Sequence, residues 1–408
     1  MSGKAFRYDT AAPVLVTGAT GYVAGWLIRR LLAEGFTVHA AVRDPDNAEK
    51  LAHLRRLERD LPGRLKFFRA DLLKDGSYTE AMQTCRVVFH TASPFASVVN
   101  DPQRDLVDPA LNGTRNVLAS VERTETVERV VLTSSCAAIF GDVADIALAP
   151  DGILTEEVWN TSSNLDHQPY NYSKTLAERE AWRIVGTQTR WRLVAVNPGL
   201  VIGPALSSAP TSESFNIVRQ LGDGSVKAGV PRYEIGMVDV RDVAEAHLRA
   251  GFLQRAEGRH IVYAEVLSLI AMSCILRRHF GDAWPFPRRV LPKWLVWLLG
   301  PVVNPMLDRA MVARNMGYSW RADNSKSRRA LGLDYRPLAP ALVAMFEQMV
   351  AAGLVPPGTG PGGPGLAPAS ADAAQEGEAA REGQLSGRRV VRGAPPVVET
   401  VPGALVAK

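Results

Sequence analysis

The apolar positions fall in short blocks separated by turn residues, and from residue 14 to about 200 two kinds of block alternate. VLVTG (14–18), TVHAAVR (37–43), KFFRADL (66–72), VVFHTAS (87–93), RVVLTSS (129–135) and RLVAVNP (192–198) are brief and rich in β-branched or aromatic residues. They read as strands, several apolar enough to be covered on both faces. Between them WLIRRLLAEG (26–35), LNGTRNVLASVER (111–123) and SKTLAEREAWRIV (173–185) carry apolar residues at helical spacing, and Gly35 stops the first. Strands alternating with helices predict an α/β fold, a doubly wound parallel sheet of the Rossmann kind with right-handed crossovers.

After Pro198 the regularity fails. Loops rich in Gly, Ser and Pro (203–231) lead to MVDVRDVAEAHLRAGFL (237–253) and then to a region where Trp284, Phe286, Trp294 and Trp297 cluster with prolines. The expected organisation is a nucleotide-binding domain over 11–197, joined again by 237–262, and a smaller mixed lobe from 198–236 and 263–354. From residue 355 onward, PPGTGPGGPGLAPASADAAQEGEAAREG and its continuation hold few large apolar residues, and five basic and five acidic side chains cancel. That composition predicts a disordered tail over 355–408, because it cannot bury enough surface to offset chain entropy.

Composition narrows the classes without naming one. The 408 residues are 46% hydrophobic and 22% charged with a net charge of +5, enough for a sizeable core and too mild to favour nucleic acid. Cys85, Cys136 and Cys274 are odd in number and far apart, which fits a reducing, cytoplasmic setting without a metal cluster. No apolar signal core precedes Val14. WLVWLLGPVVNPML (294–307) is broken by Gly300, Pro301 and Pro305 and is shorter than the roughly 20 apolar residues of a membrane span. It reads as a buried helix of the smaller lobe rather than a membrane contact.

The turn VTGATGYVAG (16–25) sits between a strand and an amphipathic helix, the context that gives a glycine motif meaning. Gly18 permits the sharp turn, Gly21 lets backbone N–H groups approach a pyrophosphate at the helix N-terminus, and the third position asks only for a small side chain, which Ala24 supplies. Gly18, Thr20, Gly21, Tyr22 and Val23 are therefore the candidate phosphate cradle. The second strand ends AAVRDP (40–45), so Arg43, with Lys50 beyond it, stands where NAD sites place a carboxylate. Two cations there favour NADP over NAD, and Asp44 leaves NAD open. Asp71 and Leu72, after the third strand, are placed for the adenine edge.

A second constellation is PYNYSKTLAER (169–179). Tyr170 and Lys174 are four apart and share one helix face, whereas Tyr172 has Leu176 at that spacing. A tyrosine is a useful acid near neutral pH only when an ammonium lowers its pKa. Ser135 ends a strand whose tip belongs to the ligand crevice of such a sheet. Ser135, Tyr170 and Lys174 are the catalytic candidates. Cys136 reads as a packed neutral thiol, His90 as strand core or cofactor-wall packing, and Asp239, Arg241 and Asp242 as a structural charge cluster.

These motifs, with AVRDPDN, RADL, VFHTASPF, TEEVWN, NPGLVIGP and VDVRDVAEAHLRA, resemble the extended short-chain dehydrogenases/reductases of the dihydroflavonol reductase and cinnamoyl-CoA reductase type, the bacterial-style aldehyde reductases among them. The likeness runs from about Val14 to about Leu354. It implies that Ser135, Tyr170 and Lys174 form the catalytic set and that Arg43 and Lys50 contact a 2′-phosphate. It further implies that Phe89, Thr91, Ala92 and Ser93 line the nicotinamide ribose, that Pro198 and Leu200 follow the cofactor's far edge, and that Phe95 and Phe140 face the substrate. Phe140 replaces an asparagine of flavonoid reductases, and HQPYNYSK replaces the cinnamoyl-CoA reductase signature, so neither plant substrate carries over. The expected activity is NADPH-dependent reduction of an aldehyde or ketone, apolar or aromatic, by a monomer or homodimer with a small-molecule partner. A 3β-hydroxysteroid dehydrogenase, a sugar epimerase or a non-enzymatic NADP sensor are the alternatives.

Overall fold

The computed structural model of the chain describes residues 8–93, 99–207, 212–303 and 307–358. Strands β1 (Val14–Thr17), β2 (Thr37–Val42), β3 (Arg64–Arg69), β4 (Val87–His90), β5 (Arg129–Thr133) and β6 (Arg192–Pro198) alternate with helices α1 (Tyr22–Ala33), α2 (Ala48–Asp60), α3 (Thr79–Met82), α4 (Asp108–Glu122) and α5 (Pro169–Val185). Further on come β7 (Leu200–Ile202), α6 (Glu213–Gly222), β8 (Val230–Pro231), β9 (Glu234–Asp239), α7 (Val240–Phe252), β10 (Gly258–Val262), β11 (Glu265–Ser268) and α8 (Leu269–Phe280). The last are β12 (Val290–Leu291), α9 (Lys293–Val303), α10 (Arg309–Asn315), α11 (Ser325–Ala330) and α12 (Leu338–Ala351).

The main sheet has the order β3-β2-β1-β4-β5-β6-β10, every neighbouring pair parallel. Its inner strands β1, β4 and β5 are mostly apolar because both faces are covered, whereas the edge strand β3 (RLKFFR) exposes Arg64, Lys66 and Arg69. β1 sends Val14 and Val16 into a layer with α1, α2 and α7, and Leu15 into the opposite layer with α3, α4 and α5. The strand order reverses between β1 and β4, which opens a crevice beyond their carboxyl ends. This is the doubly wound architecture that the alternating blocks predict. The observed α5 begins at Pro169 rather than Ser173, since proline is pre-set for the first helical turn, so Tyr170 lies in that turn.

The smaller part holds the sheets β11-β9-β7 and β12-β8 with α6, α8 and α12 around them. Phe280, Trp284, Phe286 and Phe346 pack ring against ring in its core, so Trp284 and Phe286 are structural rather than pocket lining. Two expectations need correction. Packing continues past the expected start of the tail, because Val355 is buried in this core and Trp284 Nε1 donates to the Pro356 carbonyl. The helix α9 is not buried either. Val296 turns inward against Val312 and Met316, while Trp294, Trp297, Leu298, Leu299 and Val302 are exposed. Among the described residues, no helix is long and apolar enough to cross a membrane.

Burial has a titration consequence. Five of the seven histidines lie below the ordinary imidazole value, desolvation being the leading cause for each. His90 and His260 are pushed down to about 3 and His247 to about 4. Unfolding exposes these rings, whose free pKa is about 6.5, so the unfolded chain takes up protons below that value and the folded one does not. Stability is then full above about pH 6.5 and falls as pH drops toward 4. Denaturant titrations at about pH 7.5 and about pH 5.5 should show a lower midpoint at the acidic value. Equal midpoints would contradict buried neutral histidines.

Candidate active site

The crevice is built around the tip of β1. Gly18 has φ +61°, the left-handed region that favours glycine, and a Cβ there would sit 2.8 Å from Ala92 Cα. The turn can therefore press directly against the chain leaving β4. The Thr17 hydroxyl accepts from Ala92 N at 3.0 Å and lies 3.0 Å from His90 Nδ1, while Thr91 Oγ1 donates to the Thr17 carbonyl at 2.5 Å. Burial keeps His90 neutral, so a single proton is shared across the Thr17–Nδ1 contact. Gly21 caps α1 with no side-chain hydrogen bond and no acid follows in the first turn. The N–H groups of that turn and the positive end of the helix dipole are thus left without a carboxylate beside them. Ala24 is buried in the helix–sheet layer, as its small size allows. Thr20 is exposed beside the turn, Val23 packs on the core, and Tyr22 points elsewhere: its hydroxyl donates to the Gly203 carbonyl at 2.6 Å.

Arg43 follows β2 and Lys50 lies in the first turn of α2, both exposed. The neighbouring acids are engaged: Arg69, at the tip of β3, reaches Asp46 at 2.7 Å and Asp44 at 3.4 Å, and its guanidinium also donates to the Arg43 carbonyl. Arg69 was not legible as a site residue. The parallel register, which sets Val42 beside Arg69, brings it there. Its charge offsets two carboxylates that would otherwise repel an anion near Arg43. Asp71 turns its side chain to cap Leu73 N, and its carbonyl accepts from Ser77, while Leu72 lines the crevice near Gly113.

Tyr170 and Lys174 meet as their spacing predicts, with Nζ 5.7 Å from the phenol ring centroid. Nζ also donates to Ser93 Oγ at 2.8 Å, which ties α5 to the segment after β4. Ser135 lies two residues past β5, where its hydroxyl accepts from Ala137 N at 3.1 Å. Asn171 Nδ2 donates to the Gly141 carbonyl and Thr175 Oγ1 reaches the Ala137 carbonyl, so the Ser135 loop and the Tyr170 helix are stitched together. The approach to α5 is strained, since Gln168 holds φ +55°, of order 1 kcal/mol for a non-glycine residue. The buried Asp142 holds that turn, meeting His167 Nε2 at 2.7 Å and accepting from Gln168 and Asn315.

Beneath the site lies a polar node. Glu178, one turn beyond Lys174, is fully buried and accepts from Ser134 Oγ (2.5 Å), Asn197 Nδ2 (2.8 Å), Trp182 Nε1 (3.1 Å) and Arg259 Nε (2.7 Å). Arg259 also donates to the carbonyls of Glu156, Val158 and Ala138 and stacks 3.8 Å from the Trp159 ring centre. Asn197 donates onward to the Ser135 carbonyl. No sequence motif announced this set; only the pairing of β5, β6 and β10 joins its members.

The remaining candidates divide. Phe140 is half-buried, edge-on to Trp320, which in turn meets Tyr263. Pro198 and Leu200 flank the turn from β6 into β7. Phe89 is corrected: its ring is fully buried against Phe252 and Gly251, in the layer opposite α4 and α5, and cannot line a ligand. Phe95 lies outside the described residues. Cys136 is buried, its thiol pushed up to about 12 and donating to the Asn197 carbonyl, so it packs as a neutral group. Asp239 caps α7 and pairs with Arg241 at 2.6 Å, and Asp242 pairs with Arg336, all structural contacts.

The profile of the NAD dependent epimerase/dehydratase family matches residues 14–263. The chain is 40% identical over 267 residues to cinnamoyl-CoA reductase CAD2 of Medicago truncatula, covering 65% of this chain and 79% of that protein. It is 37% identical to tetraketide alpha-pyrone reductase 1 of Arabidopsis thaliana, covering 68% and 83%. Among solved structures, the yeast methylglyoxal/isovaleraldehyde reductase Gre2 complexed with NADPH superposes with a TM-score of 0.69 at 28% identity, covering 84% of this chain and all of that one.

Removing one partner of the buried node should be costly. Arg259→Met removes the counter-ion of the buried Glu178 carboxyl, and denaturant unfolding should show a loss of about 3–5 kcal/mol. Adding Glu178→Gln to it should recover part of that loss. A single substitution costing under about 1 kcal/mol would show that the pair does not hold the fold.

Proposed function

The chain belongs to the NAD dependent epimerase/dehydratase family, among the extended short-chain reductases of the dihydroflavonol and cinnamoyl-CoA reductase type, and from that premise we propose that it reduces an apolar or aryl aldehyde or ketone with NADPH. It is an NAD(P)-dependent oxidoreductase. The observation that carries the finer reading is the convergence of Tyr170, Lys174 and the Ser135 loop beside the glycine turn.

The residues present suit the cofactor. The Gly18–Gly21 turn leaves α1 without a capping side chain or first-turn acid, as a pyrophosphate requires. At the β2 tip Arg43 and Lys50 would hold the 2′-phosphate, with Asp44 and Asp46 held by Arg69. When bound, NADPH supplies the hydride. The chain's own residues do the rest. Ser135 Oγ and the Tyr170 hydroxyl would donate hydrogen bonds to the substrate carbonyl oxygen and stabilise the charge that develops there. Tyr170 would pass its proton to that oxygen, so the carbonyl carbon gains hydride and the oxygen gains a proton. Lys174, held by Ser93, would set its positive charge beside the phenol and bond the ribose of the cofactor. Tyr170 is 49% exposed, which lets solvent return its proton. Phe140, half-buried at the edge of the aromatic cluster with Trp320 and Tyr263, is the side chain there that an apolar substrate would meet.

A panel of aliphatic and aryl aldehydes and ketones, mixed with protein and NADPH and followed by nicotinamide absorbance, tests this reading. The expected result is turnover of apolar members, faster with NADPH than NADH, with Arg43→Ala narrowing that difference. Bound NADPH with no turnover on any carbonyl would sink the reductase reading and favour a cofactor sensor.

A further inference from the structure

The exposed large hydrophobic side chains are not scattered. Among the described residues there are fourteen, and seven of them, Val290, Trp294, Trp297, Leu298, Leu299, Val302 and Tyr318, fall within one stretch of 29 residues centred on α9. Trp294, Leu298 and Val302 follow at four-residue intervals and so form one stripe along the helix, with Trp297 beside it. Val302 is 85% exposed and Trp294 67%. The opposite face is anchored: Val296 packs with Val312 and Met316, and Leu291, Leu307 and Met311 close that small core. The outward stripe thus stands on a helix whose inner side packs against α10.

The surrounding charge says what could cover it. Residues 282–323 contain six cations, Arg288, Arg289, Lys293, Arg309, Arg314 and Arg321, against three carboxylates, Asp282, Asp308 and Asp323, a net +3. Arg288 pairs with Asp282 at 2.5 Å and Arg314 lies 3.6 Å from Asp142, which leaves Arg289, Lys293 and Arg309 as the cations at the stripe. All six cationic residues are exposed. Arg309 lies 4.6 Å from the Trp297 ring centre, which joins a guanidinium to an indole at the edge of the stripe. A second copy of the chain is a poor cover, since a two-fold contact would set this cationic rim against itself. An apolar stripe with tryptophan at its margin and cations around it fits the interfacial plane of an anionic bilayer. At 11 residues α9 is far short of a span, so it would lie in that plane.

We propose that the α9 face docks the enzyme on the surface of an anionic lipid bilayer. This proposal does not depend on the catalytic reading. Docking would leave the nucleotide-binding sheet in water and give the reductase access to apolar carbonyl compounds that partition into lipid.

The full chain is sedimented with vesicles of phosphatidylcholine alone and of phosphatidylcholine with an equal part of phosphatidylglycerol. The expected result is retention on the anionic vesicles that weakens as salt rises. The triple variant Trp294→Ser, Leu298→Ser, Val302→Ser, at exposed positions, should bind at least about tenfold more weakly with unchanged thermal unfolding. Arg289→Gln with Arg309→Gln should weaken anionic binding by about fivefold per charge removed. No retention of the unaltered chain on anionic vesicles would overturn the proposal, and so would retention that neither variant changes. A concentration-dependent dimer abolished by the triple variant, without vesicle binding, would assign the face to self-association instead.

Discussion

The pairing of Glu178 with Arg259 joins three strands and a helix that no stretch of sequence connects. Each oxygen of the carboxylate accepts two or more hydrogen bonds, and the guanidinium spreads its donors over the 138, 156 and 158 carbonyls. A charge so deeply buried is tolerable only when fully partnered, so the arrangement fixes geometry more than it adds net stability. Ser134, one residue before Ser135, donates to the same carboxylate, and Lys174 lies one turn before Glu178 on the same helix. The site above inherits its rigidity from this node.

A different logic governs the cofactor end. There the side chains are exposed and the field is arranged rather than locked. Arg69 lies over Asp44 and Asp46, leaving Arg43 and Lys50 on the surface beside neutralised acids. Such exposed pairs contribute little to stability, and their effect is on the local field around Arg43 and Lys50. Between the two ends, Thr17 clips β1 to the chain after β4 through Ala92 and His90 and holds the crevice at the strand-order reversal.

Much of this was legible in the chain because it is local. The alternating blocks gave the parallel sheet, the glycine turn fell between strand and helix, and Tyr170 and Lys174 share a face because four residues make about one helical turn. What escaped was long-range or ambiguous. The helix over 48–60 is too charged for its three buried leucines to stand out, yet it carries Lys50. Arg69, Glu178, Asn197 and Arg259 looked like ordinary polar residues because their meaning depends on strand register. Phe89 was read by type, but burial is decided by which layer a residue faces. The helix at 293–303 was read as core from its hydropathy, whereas its partner α10 covers only one side.

The account rests on Tyr170 giving a proton to the substrate oxygen from a helix held in place by the node below. Turnover and NADPH affinity measured side by side for the unaltered chain and Tyr170→Phe test that claim most directly. The account predicts a fall in kcat of about 10²–10⁴-fold with NADPH affinity little changed. Turnover retained in the phenylalanine variant would contradict it and remove Tyr170 from the proton transfer.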